Sequence, residues 1–135
     1  MSRLRKWGGI RQLGCEFVRY TLPPLAWMLL IYVLSAQPTL PHAPDPLWDL
    51  LLKKVAHMAA YTVLCVLLWR ALKRRVGGLG ALGAAWLLTA LYALSDEFHQ
   101  AYVPGRHGNV LDVAIDGVGA LLAVLGLWWM TRARK

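Results

Sequence analysis

Residues 54–72 read KVAHMAAYTVLCVLLWRAL and are followed at once by the basic cluster Lys73, Arg74 and Arg75. As a helix rising 1.5 Å per residue, this run covers about 28 Å, close to the ~30 Å hydrocarbon thickness of a bilayer. A helix on the surface of a soluble protein alternates an apolar stripe with a polar face. Here the polar groups gather at the two ends instead: Lys54 and His57 at one, Arg70 at the other. The run is predicted to cross a membrane.

Three more runs of the same kind flank it. The first extends from about Phe17 to Ala36, with Pro23 and Pro24 in its opening turns, where a missing N–H is best tolerated. Another extends from about Val76 to Ser95 and opens with Gly77, Gly78, Gly80 and Gly83. The last, about Val110 to Met130, ends on Trp128 and Trp129, placed as interfacial aromatics. The predicted fold is all-α: a polytopic membrane protein, four transmembrane helices in an up-down bundle. A basic segment (1–16) leads into one membrane domain (17–131), and a short basic tail (132–135) ends the chain. The stretch from His42 to Asp49, rich in proline at its start, reads as an extended linker over one end.

Charge sets the direction. Arg3, Arg5, Lys6, Arg11 and Arg19 precede or open the first run. Arg70, Lys73, Arg74 and Arg75 join the second to the third, and Arg132, Arg134 and Lys135 close the chain; together these are twelve of its fifteen Lys and Arg. Lys and Arg collect on cytoplasmic connections, so both termini are expected in the cytoplasm. Six of the seven carboxylates and all four histidines fall at the other, extracytoplasmic end.

Composition agrees. The 135 residues are 58% hydrophobic and 16% charged, with a mean hydropathy of +0.45, against about 25% charged in an average soluble domain. The net charge of +8 invites a nucleic-acid partner, but the basic residues flank apolar runs rather than line a polar face, so none is expected. A cleaved signal peptide ending near SAQPTLPHA would remove a quarter of the chain and is the weaker reading. Cys15 and Cys65 lack zinc spacing and are not expected to pair.

The concentrated chemistry is DEFHQAYVPGRHGNVLDVAID, residues 96–116. Helical spacing puts Lys54, His57 and Tyr61 on one stripe of the second helix. It puts Tyr92, Asp96 and either His99 or Gln100 on one of the third, and Asp112 with Asp116 on one of the fourth, continuing through Gly119, Ala120 and Ala123. Small residues there allow close helix approach. Singly, each polar residue has a plain explanation: Asp112 as a helix N-terminal charge, Lys54 as a snorkelling anchor, Arg106 as a loop ion pair. Jointly they aim at one volume, and intramembrane ionisable groups cost about 2.5–3.5 kcal/mol each unless paired or used. Asp96, Glu97, His99, Asp112 and Asp116 could ligate a divalent metal such as zinc, manganese or magnesium, although no strong metal motif is present. Arg106 between Gly105 and Gly108 could clamp an anion, with Lys54 adding charge and His57 or His99 moving a proton.

SAQP (35–38), KKVAHMAAY (53–61) and DEFHQAYVPGRHGNVLDVAIDGVGA (96–120) together resemble the VanZ-like family, named for a teicoplanin-resistance protein, over about Leu30 to Leu122. The resemblance adds Gln37 to the candidate site and implies a multi-pass protein of the bacterial cell envelope, linked in some members to glycopeptide susceptibility. Where many members carry asparagine late in the last motif, this chain has Asp116. The expected function is an outer-facing pocket that binds or acts on an envelope lipid or lipid-linked phosphate. In an enzyme, Asp96, Glu97, His57 and His99 would be the acid/base groups. Lys54, Arg106, Gln37, Gln100, Tyr61, Asp112 and Asp116 would hold the ligand. The alternatives are a non-catalytic binding module, a stabilising buried network within a homo-oligomer or beside a membrane-protein partner, and, more weakly, a proton-coupled transporter.

Overall fold

In the computed structural model, residues 15–38, 44–105 and 110–133 are described, and every element among them is helical. A π-helical turn, Phe17–Thr21, runs directly into α1, Leu22–Ser35. Then follow α2, Pro46–Val76, α3, Gly78–Gln100, and α4, Val110–Arg132. Taking the π-helical turn and α1 as one continuous span, Phe17–Ser35, the chain has four helical spans long and apolar enough to cross a membrane.

The π-helical turn has a cause in the sequence. Pro23 and Pro24 are the second and third residues of α1 and cannot donate to carbonyls four residues back. Leu22 instead donates its N–H to the Phe17 carbonyl, five residues away. The Arg19 carbonyl, deprived of Pro23, accepts from the Arg70 guanidinium of α2 at 2.8 Å. A side chain from the end of one helix thereby completes the backbone at the start of another.

The second helix begins eight residues earlier than its apolar pattern indicated. Asp45 caps it, accepting from the N–H groups of Leu47 at 2.9 Å and Trp48 at 3.0 Å, and Pro46 takes the first helical position, where its fixed φ suits a helix. The expected linker from His42 to Asp49 is therefore helical from Pro46 on; Pro41 and His42 lie outside the described residues. The polar cap and proline that signalled a loop are equally the signals of a helix start. At 31 residues α2 is about 46 Å long, and its first turns carry the exposed Leu47 and Trp48 at a depth suited to an interfacial aromatic. Asp45→Ala is expected to lose about 1 kcal/mol of stability, read from reversible unfolding in detergent.

Gly77, with φ at 82°, is all that separates α2 from α3. The helices alternate in direction. Arg70 near the end of α2 meets the start of α1, Ser35 at the end of α1 meets Asp96 near the end of α3, and Lys54 of α2 meets Asp112 near the start of α4. The chain is thus an up-down four-helix bundle. α2, α3 and α4 pack tightly together and α1 leans on α2 and α3.

Small residues make that packing possible. Ala81, Ala85, Ala93 and Ala120 are fully buried, with Tyr61, Leu64 and Cys65 filling the spaces between helices. Gly119 of α4 lies directly on α2: a Cβ there would fall 2.6 Å from the Met58 carbonyl oxygen. The larger apolar side chains, among them Leu29, Leu87, Leu122 and Leu125, point outward and are exposed. A bundle with its small residues inside and its leucines outside is a protein solvated by lipid. Cys15 and Cys65 are unpaired, as expected.

The two ends differ chemically. At one, the Tyr20 ring sits under the guanidinium of Arg74 at 4.6 Å, with Arg70 and Arg19 at 5.6 and 5.7 Å. Arg74 also binds Glu16 at 3.0 Å. At the other lie the carboxylates of α3 and α4.

Candidate functional site

The α3 helix continues past Ser95, where the apolar run ends, to Gln100, so Asp96, Glu97, His99 and Gln100 are all helical, as the stripe from Tyr92 requires. Consecutive residues on a helix point about 100° apart, and Asp96 and Glu97 divide two polar groups between them.

The first group joins three helices around one oxygen. Asp96 Oδ2 accepts from Ser35 Oγ at 2.7 Å, Gln100 Nε2 at 2.9 Å and Tyr61 OH at 3.0 Å. Gln100 Nε2 also lies 3.1 Å from Ser35 Oγ. Ser35, Tyr61, Asp96 and Gln100 are all buried. Of the two residues that could share the Asp96 face, it is Gln100, four residues on, that does. His99 turns toward α1 and stacks on the Tyr32 ring at 4.6 Å. Ser35 belongs to this network although its type alone gave no reason to select it; the SAQP motif was the only signal. Nearby, Tyr92 OH donates to the Met28 carbonyl at 2.6 Å and Trp27 Nε1 to the Ala60 carbonyl at 2.9 Å, fastening α1 to the bundle.

The second group lies between α2, α3 and α4. Lys54 pairs with Asp112, both side chains remaining partly exposed. One turn deeper, His57 Nδ1 stands 3.7 Å from Asp116 Oδ2. That is an ion-pair separation, too long for a hydrogen bond. The Asp116 side chain is fully buried, and neither of its oxygens accepts a hydrogen bond from any described residue. Glu97, also buried, completes the set: His57, Glu97 and Asp116 each offer a donor atom, all within 4.8 Å of one another. Thr62 Oγ1, beneath them, donates toward the carbonyls of Met58 at 2.7 Å and Gly119 at 2.9 Å. This holds α4 against α2 at the level where Gly119 permits close approach.

The structure therefore brings together Lys54, His57, Glu97, Asp112 and Asp116, and beside them Tyr61, Asp96 and Gln100. Gln37 has an exposed side chain that donates to the Val33 carbonyl at 3.1 Å. Arg106 lies outside the described residues. Chemically, the first group is a carboxylate with one oxygen well supplied by neutral donors, a firm joint between helices. The second combines one lysine, one imidazole and three carboxylates in a partly open setting. Its buried Asp116 is left without the hydrogen bonds such a group ordinarily finds.

A family model described as VanZ/LLP1 matches this chain over residues 8–131. No curated protein and no solved structure matches it.

Proposed function

This multi-pass membrane protein belongs to the VanZ/LLP1 family, and from that membership and the geometry above we propose that its polar end binds the phosphate headgroup of an envelope lipid or lipid-linked intermediate. The observation that carries this reading is graded access. Lys54 and Asp112 are 31% and 23% exposed at the side chain and His57 is 27% exposed, whereas Asp116 beneath them is wholly buried. Polar groups that served only to join helices would be closed off together, as Asp96 is. These instead line a way in from the end of an otherwise lipid-coated bundle. A ligand reaching that mouth along the membrane is itself a lipid, with its headgroup at the depth of Lys54.

Lys54 supplies the positive charge and His57, backed by Asp116, is the group best placed to carry a proton. Arg106 would add a bidentate clamp. Asp96, already holding three donors, is assigned to structure rather than to acid/base work. In this reading the polar end faces outward from a bacterial inner membrane, as the distribution of Lys and Arg supports. Altered teicoplanin susceptibility on deletion is the phenotype to look for.

Native mass spectrometry of the detergent-purified protein tests the proposal. The wild type is expected to carry a phospholipid or polyprenyl phosphate that folded Lys54→Gln and Arg106→Ala variants lose. A wild type that carries none, or variants that keep it, would contradict it. A second reading, a purely stabilising network, is favoured by the Asp96 group alone, and the two readings apply to adjacent sets of residues.

A further inference from the structure

The second polar group holds three carboxylates, Glu97, Asp112 and Asp116, with Lys54 and His57 as its described basic members. Lys54 is taken up by Asp112. The residue whose bonding is left incomplete is Asp116. It is 1% exposed, both of its oxygens lack a hydrogen bond from the described residues, and its ion-pair partner among them, His57 Nδ1, is beyond hydrogen-bond reach at 3.7 Å. A buried carboxylate left in this state costs free energy, and native proteins keep such groups where a charge or a bond is to be supplied from outside.

We infer that His57, Glu97 and Asp116 form a divalent-cation site. One ligand comes from each of α2, α3 and α4, so binding would tie together the three tightly packed helices. The donors lie within 4.8 Å of one another. Ligands about 2.1 Å from a tetrahedral zinc ion lie about 3.4 Å apart, so side-chain rotations that bring the donors about 1 Å or more closer would close the set. One imidazole nitrogen and two carboxylates suit zinc or manganese; calcium and magnesium favour all-oxygen sets. Three protein ligands leave coordination positions open toward the partly exposed mouth, where a phosphate oxygen can enter. The site itself rests on its own donors; its use in holding a phosphate rests on the function proposed above. Lys54 and Asp112, one turn outward, would then lie beside the incoming headgroup rather than on the ion.

The test is a binding titration of the full-length protein in detergent, stripped with a chelator and then given zinc or manganese. Bound ion is counted by elemental analysis after dialysis. One ion per chain is expected, with saturable binding that raises the melting temperature. Asp116→Asn and Glu97→Gln, each isosteric, are both expected to weaken binding by more than the roughly 10–100-fold that loss of an outer-shell partner costs. Asp49→Asn, whose carboxylate pairs with Lys53 at 2.6 Å outside this site, is expected to leave it unchanged. Having two variants guards against one failing to fold. A wild type that takes up neither ion overturns the inference, as does binding that both variants retain. A stripped protein that holds phospholipid fully without any ion overturns the ion's part in holding the headgroup and leaves the lipid reading intact. A protein that binds the ion but no phospholipid upholds the cation site and overturns the lipid reading.

Discussion

Asp96→Ala is expected to lose about 3 kcal/mol or more of stability, from charge-assisted hydrogen bonds lost and a buried donor left unmet. The loss follows from what would be left behind. Tyr61 OH, Ser35 Oγ and Gln100 Nε2 all converge on one Asp96 oxygen. Ser35 and Gln100 can still bond each other, but Tyr61 is 1% exposed and would have no acceptor within reach. A buried donor in that state costs about 1–3 kcal/mol by itself, and the lost charge-assisted bonds add the remainder. Asp96→Asn keeps an acceptor oxygen and gives up only the charge, so its cost should be nearer 1–2 kcal/mol. Chemical unfolding of both variants in detergent, followed by tryptophan fluorescence, checks the order as well as the size. Equal losses for the two would remove the charge from the explanation.

Gly119→Val should be comparably severe for a steric reason. The first added carbon would already lie 2.6 Å from the Met58 carbonyl oxygen and 2.7 Å from Met58 Cγ. Met58 can swing its side chain away, but its carbonyl belongs to the backbone of α2 and cannot. Either α4 moves off α2 or the variant does not fold. Overpacking costs about 1–3 kcal/mol where neighbours can adjust, and here the expected loss is at the top of that range or above. Moving α4 outward would also stretch the bond from Thr62 to the Gly119 carbonyl and draw Asp116, one turn away, from His57. The variant should therefore lose cation binding along with stability. A Gly119→Val protein as stable as wild type would mean that the α2–α4 contact is looser than the structure has it.

Much of this fold was legible in the sequence because the lipid environment simplifies the code. Four apolar runs gave four crossings, and their centres lie where the pattern placed them. The ends were harder. α2 starts at Pro46 and α3 runs to Gln100 because helices continue into the headgroup layer, where polar residues are no objection to a helix. Hydropathy marks only the hydrocarbon part. At the site, the stripe Lys54, His57 and Tyr61 was readable from spacing, as were Asp112 and Asp116. Spacing left His99 and Gln100 equivalent; the Asp96–Gln100 bond, a contact at i, i+4, and the Tyr32 ring offered to His99 by α1 separate them. Gln37 lies just past the end of α1, where periodicity has no hold, and its side chain folds back onto Val33. Glu97 could be placed beside Asp96 in sequence, but that it faces His57 and Asp116 depends on how three helices rotate about their axes. No single stripe records that.

The account turns on Asp116 being held for a ligand rather than for the fold. Unfolding free energies of wild type and Asp116→Leu, both chelator-stripped and delipidated, measure this most directly. A carboxylate kept buried for function destabilises the empty protein, so an apolar side chain of similar size should leave it at least as stable, with a gain of up to about 1–3 kcal/mol as the unbonded group is removed. A loss of about 3–5 kcal/mol, the cost of breaking a stabilising buried ion pair with His57, would contradict the account and make this end of the bundle a structural joint throughout.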